Sequence, residues 1–159
     1  MISVLGAVIL SLGVVAAPFF LLAFLLGGGW AGCASADHRL EEPLMSLPVF
    51  GVRPSGVHLD GERYSGCDDD GGFAFAGQHY RPMPSRDDVK AFYRSVVAAD
   101  GWAPVDDHDR MDEGLCFLKK INGLDAYLVL WFPHEYDSKI DDAVYALEVK
   151  ASRYGPAGC

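Results

Sequence analysis

The stretch that decides the fold runs from Gly114 to Phe132 and reads Gly-Leu-Cys-Phe-Leu-Lys-Lys-Ile-Asn-Gly-Leu-Asp-Ala-Tyr-Leu-Val-Leu-Trp-Phe. Two alternating apolar runs flank Asn-Gly, the pair that a two-residue type I′ hairpin turn prefers because both positions need positive φ. This turn fixes the register and places Lys120 opposite Asp125. Because opposite charges face each other there, the pattern predicts an antiparallel hairpin.

The same register divides the side chains of the hairpin between two faces. The first face carries Leu115, Phe117, Ile121, Leu124, Leu128 and Leu130. We expect it to receive a helix. The opposite face, called the second face below, carries Cys116, Leu118, Tyr127, Val129 and Trp131.

The second face is more apolar than a sheet face in contact with water requires. One explanation is that the chain covers it, either with the segment around Val49 and Phe50 or with a segment tethered by a disulfide from Cys67. The other is that it binds a protein or an apolar ligand, since interface cores are rich in aromatic residues. The candidate binding residues are Leu118, Tyr127, Val129 and Trp131.

A helix is predicted over residues 86–100. Ser85 is a suitable N-cap, and Asp87 and Asp88 in the first turn oppose the positive end of the helix dipole. An apolar stripe follows at i, i+3, i+4, i+7 and i+8, formed by Val89, Phe92, Tyr93, Val96 and Val97. Gly101 is expected to end the helix as its C′ residue.

Strands are predicted on both sides of this helix. One strand covers residues 73–80, a short one begins at Trp102, and a last one covers residues 143–152. The predicted fold class is therefore α+β. An N-terminal transmembrane or signal helix precedes one helix packed on an antiparallel sheet of about four strands, in the order β-α-β-β-β.

The first 36 residues contain no Asp, Glu, Lys, Arg or His. Residues 1–26 are predicted to be a transmembrane anchor or signal segment, because roughly 25 apolar residues can span a bilayer. Residues 27–61 are expected to be a Gly/Pro-rich linker, and residues 62–159 an extracytoplasmic domain. Two alternatives are cleavage after Ala34-Ser35-Ala36, which would secrete the chain, and lipidation of Cys33 in Trp30-Ala31-Gly32-Cys33.

The cysteines favour an oxidising compartment. Cys67, Cys116 and Cys159 lie in the polar part of the chain, so we place that part outside the cytoplasm. The preferred disulfide joins Cys67 to Cys116. If Cys33 is free to pair, the four cysteines allow three connectivities.

The net charge and the absence of known motifs exclude several classes of function. The formal net charge of −9 disfavours nucleic acid as a partner. The nucleophile-elbow, phosphate-loop, dinucleotide and zinc-protease motifs are absent, so no catalytic residue is predicted. The acidic runs at 68–70 and 106–109 lack the calcium-loop spacing, and the five histidines show no zinc spacing. We predict neither a metal nor a cofactor.

One stretch of the chain, Val89-Lys-Ala-Phe-Tyr-Arg-Ser-Val-Val-Ala-Ala-Asp-Gly-Trp102, resembles the helix of small membrane-anchored or lipoprotein-like envelope proteins of high-GC bacteria. In these proteins a Phe-Tyr helix ends in Gly-Trp and leads into a sheet. The resemblance covers roughly residues 73–149. It implies a domain displayed on the cell envelope and brings no catalytic residues with it.

Two hypotheses of function follow. The first is a membrane-tethered, extracytoplasmic, non-enzymatic binding or structural module, whose partner is an envelope protein or an apolar ligand. The alternative is a small hydrolase-like envelope enzyme that uses a His/Asp loop, for which His58-x-Asp60 and His108-Asp109 are the candidate pairs.

Overall fold

Six antiparallel strands form one sheet in the order β1-β2-β6-β5-β4-β3. The strands are β1 (His58–Asp68), β2 (Phe73–Arg81), β3 (Ala103–Pro104), β4 (Leu115–Ile121), β5 (Leu124–Trp131) and β6 (Tyr145–Ala151). The last strand enters between β5 and β2, so it lies at the centre of the sheet. Its buried residues point to both faces, as a central strand requires.

In the part of the chain that the structure describes, two helices accompany the sheet, α1 (Ser35–Met45) and α2 (Arg86–Ala99), and a short 3-10 helix follows α1 at Pro48–Gly51. The predicted fold class is therefore wrong in its count and order of elements. The prediction places one helix on an antiparallel sheet of about four strands, after an N-terminal transmembrane or signal helix. The described residues instead contain two helices and six strands, and the last strand is central.

The computed structural model describes residues 33, 35–105, 114–135, 137–139 and 141–159. In this part of the chain, no helix combines the length and apolar character needed to cross a membrane. The anchor or signal segment predicted at residues 1–26 lies outside the described residues.

The hairpin is confirmed residue by residue. β4 and β5 pair from Leu115 with Leu130 to Ile121 with Leu124. Asn122 and Gly123 have φ values of 51° and 84°, as a type I′ turn needs. Lys120 Nζ lies 2.6 Å from Asp125 Oδ1, so the expected charge pair forms.

The helix predicted over 86–100 is also confirmed, as α2. The Ser85 hydroxyl accepts a hydrogen bond of 3.1 Å from the backbone N–H of Asp88, and this bond satisfies one of the free donors of the first turn. Gly101 follows the helix with a φ of 83°. Its left-handed conformation ends α2 without the strain that a side chain would cause there.

Residues 35–61 differ from the expected linker, because they belong to the folded unit. Helix α1 continues past Pro43 to Met45, although the proline bends it. Arg63 of β1 donates a hydrogen bond to the carbonyl of Met45, which satisfies a free acceptor at the end of α1. The side chains of Val49, Phe50 and Val57 lie in the core.

Strand β1 escaped prediction because its sequence does not alternate. Three of its residues, Gly61, Glu62 and Arg63, lie opposite the single residue Gln78. This bulge interrupts the alternation of side chains between the two faces of the sheet. Gln78 is 1% exposed, and its side-chain amide donates to the carbonyls of Gly61 and His79 at 3.2 and 2.9 Å. A buried glutamine therefore compensates for ladder bonds that the bulge disrupts.

Tyrosines fasten the segment around Phe50 to the first face. Tyr80 donates a hydrogen bond of 2.9 Å to the Phe50 carbonyl, and Tyr93 of α2 donates one of 2.9 Å to the Val52 carbonyl. The hydroxyl of Tyr145 lies 3.2 Å from that of Tyr93. Burial raises the pKa of Tyr145 to about 12, and it raises the pKa values of Tyr80 and Tyr93 too.

Two disulfides use all four cysteines and indicate an extracytoplasmic protein. They join Cys33 to Cys67 and Cys116 to Cys159. The preferred pairing of Cys67 with Cys116 is therefore wrong. The first face of the sheet holds Cys67, whose register partner Ala74 lies in the core, whereas Cys116 lies on the second face. The Cys33 sulfur is already bonded, so lipidation of that thiol is incompatible with this structure.

We predict that Tyr80→Phe destabilises the fold by about 1–3 kcal/mol, because it leaves the buried Phe50 carbonyl without its donor. The measurement is denaturant-induced unfolding with the disulfides intact. Tyr154→Phe is the matched control, since Tyr154 is 74% exposed, and it should change the free energy of unfolding by less than about 0.5 kcal/mol. Equal values for the two variants would show that Tyr80 does not fasten this segment.

We also predict the disulfide map. Tryptic digestion without reduction should release residues 154–159 joined to residues 111–119, as one species detected by mass spectrometry. Replacing both Cys116 and Cys159 by Ser should lower the free energy of unfolding by about 4 kcal/mol on the loop-entropy model, because the bond closes a loop of 43 residues. A species that joins Cys67 to Cys116 would contradict the assigned connectivity.

Candidate functional site

The second face lies opposite the helices. The core cluster contains α2 residues such as Val89 and Tyr93, together with Phe117 and Leu128 of the first face. This confirms that the first face receives a helix. Val49 and Phe50 belong to the same cluster, so the expectation that they cover the second face is wrong. Cys67 also belongs to the first face and tethers Cys33 there.

The second face extends beyond the hairpin, across β6 and β2 to β1. Its three rows are Trp131, Ala146, His79 and Asp60; Val129, Glu148, Gly77 and Tyr64; and Tyr127, Lys150, Phe75 and Gly66. The four predicted binding residues all belong to this face. Val129 is buried at 4% exposure, whereas Leu118, Tyr127 and Trp131 are half-buried.

Small residues let the aromatic side chains lean over the neighbouring strands. A Cβ placed on Gly77 would lie 2.2 Å from Cζ of Tyr64, and one on Gly66 would lie 2.9 Å from Cζ of Phe75. The ring of each aromatic residue therefore occupies the space that a side chain would need. Both rings lie along the sheet instead of standing away from it.

Four rings form what we call the aromatic cluster: Tyr64, Phe75, His79 and Trp131. The Tyr64 and His79 ring centroids lie 5.3 Å apart, those of Tyr64 and Phe75 6.3 Å apart, and those of His79 and Trp131 6.1 Å apart. His79 and Trp131 stand on strands about 10 Å apart, with buried Ala146 between them. Because Ala146 is small, the two rings meet above it.

Two carboxylates lie beside the aromatic cluster, and each has a cationic partner. Glu148 Oε2 accepts a hydrogen bond of 3.3 Å from the Tyr64 hydroxyl, and Glu148 Oε1 lies 3.5 Å from Lys150 Nζ. At the edge of the sheet, Asp60 Oδ2 lies 2.7 Å from a guanidinium nitrogen of Arg81. These four charges sum to zero, although the chain as a whole carries −9.

The electrostatics of the cluster keep its titratable rings neutral. Burial is the main reason that the pKa of His79 lies below its usual value, and the nearby carboxylates of Asp60 and Glu148 oppose this shift. Burial also raises the pKa of Tyr64, and the charge of Glu148 adds to that rise. Near neutral pH the cluster therefore presents an uncharged imidazole and a phenol.

The C-terminal segment ends on the second face. Cys159 is bonded to Cys116 of β4, whereas β6 ends at Ala151. Residues 152–159 therefore return from the centre of the sheet towards β4. Both Cys116 and its register partner Val129 are buried, which is consistent with cover from this segment.

Sequence reasoning found one half of the aromatic surface and missed the other. Tyr127 and Trp131 follow from the hairpin register, whereas Tyr64, Phe75 and His79 depend on β1 and β2. A signal was present in β2, where Phe73, Phe75, Gly77 and His79 alternate with buried residues. This alternation does not show which face of the sheet these residues occupy. The pairing of β2 with β6 places them on the second face.

One of the two candidate catalytic pairs, His58 and Asp60, lies in the described residues, on strand β1. Asp60 is bound to Arg81, and Arg81 is also the register partner of His58. His108 and Asp109 lie outside the described residues. Asp68 accepts a hydrogen bond of 2.8 Å from the Gly71 N–H, and Asp69 accepts one of 3.0 Å from the Cys33 N–H. The first acidic run therefore supports the turn after β1 and the segment near Cys33.

We predict that His79 contributes to the pH dependence of stability. A histidine whose folded pKa is lowered favours folding in its neutral form, so its contribution is present above about pH 6.5 and is lost as the pH falls. From pH 7.5 to pH 5, the wild type should lose more unfolding free energy than His79→Phe, which keeps an aromatic ring and does not titrate. Denaturant unfolding at each pH measures this difference, and parallel curves for the two proteins would contradict it.

Comparison with known proteins gives this chain no family. No protein-family description, no curated protein and no solved structure matches it at a significant level.

Proposed function

We propose that this protein is an extracytoplasmic, non-enzymatic binding module that uses its second face to hold a partner. One observation carries the proposal: half-buried aromatic and apolar side chains run from β4 to β1 on the face opposite α1 and α2. A sheet face that only met water would carry polar residues at these positions. Such a surface is typical of recognition sites, whose cores are rich in aromatic side chains.

The way the face is built supports recognition instead of catalysis. Gly66, Gly77 and Ala146 make room for rings that lie along the sheet, and each ring contacts another ring. The strands hold these side chains in fixed positions, so binding would require little reorganisation. A preformed aromatic surface favours affinity for a partner that is itself partly apolar.

The proposal includes attachment to a membrane through residues 1–26. Its support is the composition of that segment, which is apolar and free of charged residues over its whole length. In this arrangement Cys33 and the Cys33–Cys67 disulfide lie where the chain enters the folded unit. The domain would then present its second face within reach of envelope components.

Photo-cross-linking in the producing cells tests the binding role. A benzophenone amino acid at Tyr127 should give a discrete cross-linked product, because this half-buried residue belongs to the second face. The same probe at Arg94, an exposed residue of α2, is the matched control and should not give that product. Trp131→Ala should remove the product, since loss of a central interface aromatic costs about 2 kcal/mol or more of binding free energy.

The cross-linking result counts only for folded protein. The Trp131→Ala chain must retain both disulfides and a cooperative unfolding transition. Leu118→Ala gives a second, smaller change on the same face and should weaken the product without removing it. The binding role is contradicted if Tyr127 and Arg94 give identical products, or if folded Trp131→Ala cross-links as well as the wild type does.

A further inference from the structure

The aromatic cluster and its charged neighbours offer both kinds of contact that a sugar needs. Tyr64 contacts both Phe75 and His79, and His79 contacts Trp131 edge to face, so the four rings form one contiguous cluster along the sheet. Aromatic rings attract the weakly positive C–H groups of a ligand at their negative faces. A pyranose ring presents such C–H groups on its faces and hydroxyls around its rim.

Polar groups lie beside the rings of the aromatic cluster. The Glu148 carboxylate already bonds Tyr64 and Lys150, and each of its oxygens has a second acceptor position. Lys150 Nζ has three donors, lies 3.5 Å from Glu148 Oε1 and also lies 5.4 Å from the Phe73 ring centroid. Hydroxyl groups both donate and accept, so they can bond the carboxylate and the ammonium together.

The charge balance selects against ionic ligands. An anion would meet the field of a chain with a net charge of −9. A cation would have to compete with Lys150 for Glu148, or with Arg81 for Asp60. A neutral ligand avoids both costs.

The same groups select against a purely apolar ligand. The side chains of Glu148 and Lys150 are each 19% exposed, so a ligand without hydrogen-bonding groups would remove their remaining water and replace it with nothing. The best match is a ligand that is neutral, has apolar ring faces and carries many hydroxyls. We propose that the aromatic cluster, with Glu148 and Lys150, binds a ring of a neutral saccharide. This inference rests on the proposed function.

Titration with defined oligosaccharides tests this inference. The full-length protein, purified in detergent at pH 7.5 with its disulfides intact, is titrated with cellotetraose and with chitotetraose by calorimetry. We expect saturable binding of at least one of the two. The tetramer of galacturonic acid, whose rings carry carboxylates, should bind at least about tenfold more weakly because of the acidic field.

Variants locate the saccharide. Tyr64→Ala should raise Kd at least about tenfold, since it removes an aromatic surface and the hydroxyl that bonds Glu148. Glu148→Gln preserves the shape of the side chain and should raise Kd severalfold, so it keeps the test valid if Tyr64→Ala fails to fold. Tyr154→Ala changes an exposed tyrosine of the C-terminal segment and should leave Kd unchanged.

The results separate this inference from the proposed function. If neither neutral tetramer binds at millimolar concentration, or if Tyr64→Ala and Glu148→Gln bind like the wild type, the saccharide proposal is overturned. A cross-link from Tyr127 that still depends on Trp131 would then leave the binding role standing with a different partner. Loss of both signals would overturn the binding role as well.

Discussion

The positive φ values at Asn122 and Gly123 are the constraint on which both faces of the sheet depend. A type I′ turn admits one register, and in a strand a shift of one residue would move every side chain to the opposite face. The register that forms sends Phe117 and Leu128 into the core and leaves Tyr127 and Trp131 on the second face. Strand β6 then pairs with β5 and extends this division across the sheet.

Local signals in the sequence were sufficient for the parts of the fold that form from neighbouring residues. Helix α2, its Ser85 cap and the β4–β5 hairpin are confirmed because their patterns lie within 20 residues. The place of β6 depends instead on pairing with β2, about 70 residues away in the sequence. No periodicity in a single segment reports such a distant partner.

The two elements that were not predicted, α1 and β1, share a second property. Polar contacts hold them in place, and their sequences lack the regular spacing of apolar residues that predicts a helix or a strand. The bulge in β1 is held by Gln78, and the end of α1 is held by Arg63. The glycines, prolines and charged residues of α1 and β1 are typical of a linker. The contacts made by Gln78 and Arg63 explain why these segments fold instead. The candidate site was divided for the same reason, since Trp131 belongs to the predictable hairpin and Tyr64 belongs to β1.

The bond between Cys33 and Cys67 determines how mechanical load would reach the sheet. Tension applied to the residues before Cys33 passes through the covalent bridge directly to the end of β1. Helix α1 and the 3-10 helix lie inside the loop that the bridge closes, so they carry none of this force. A domain held from its N-terminal side would therefore keep its tyrosine-fastened segment unstretched, because the pull enters the sheet at Cys67 and continues along the chain towards β2.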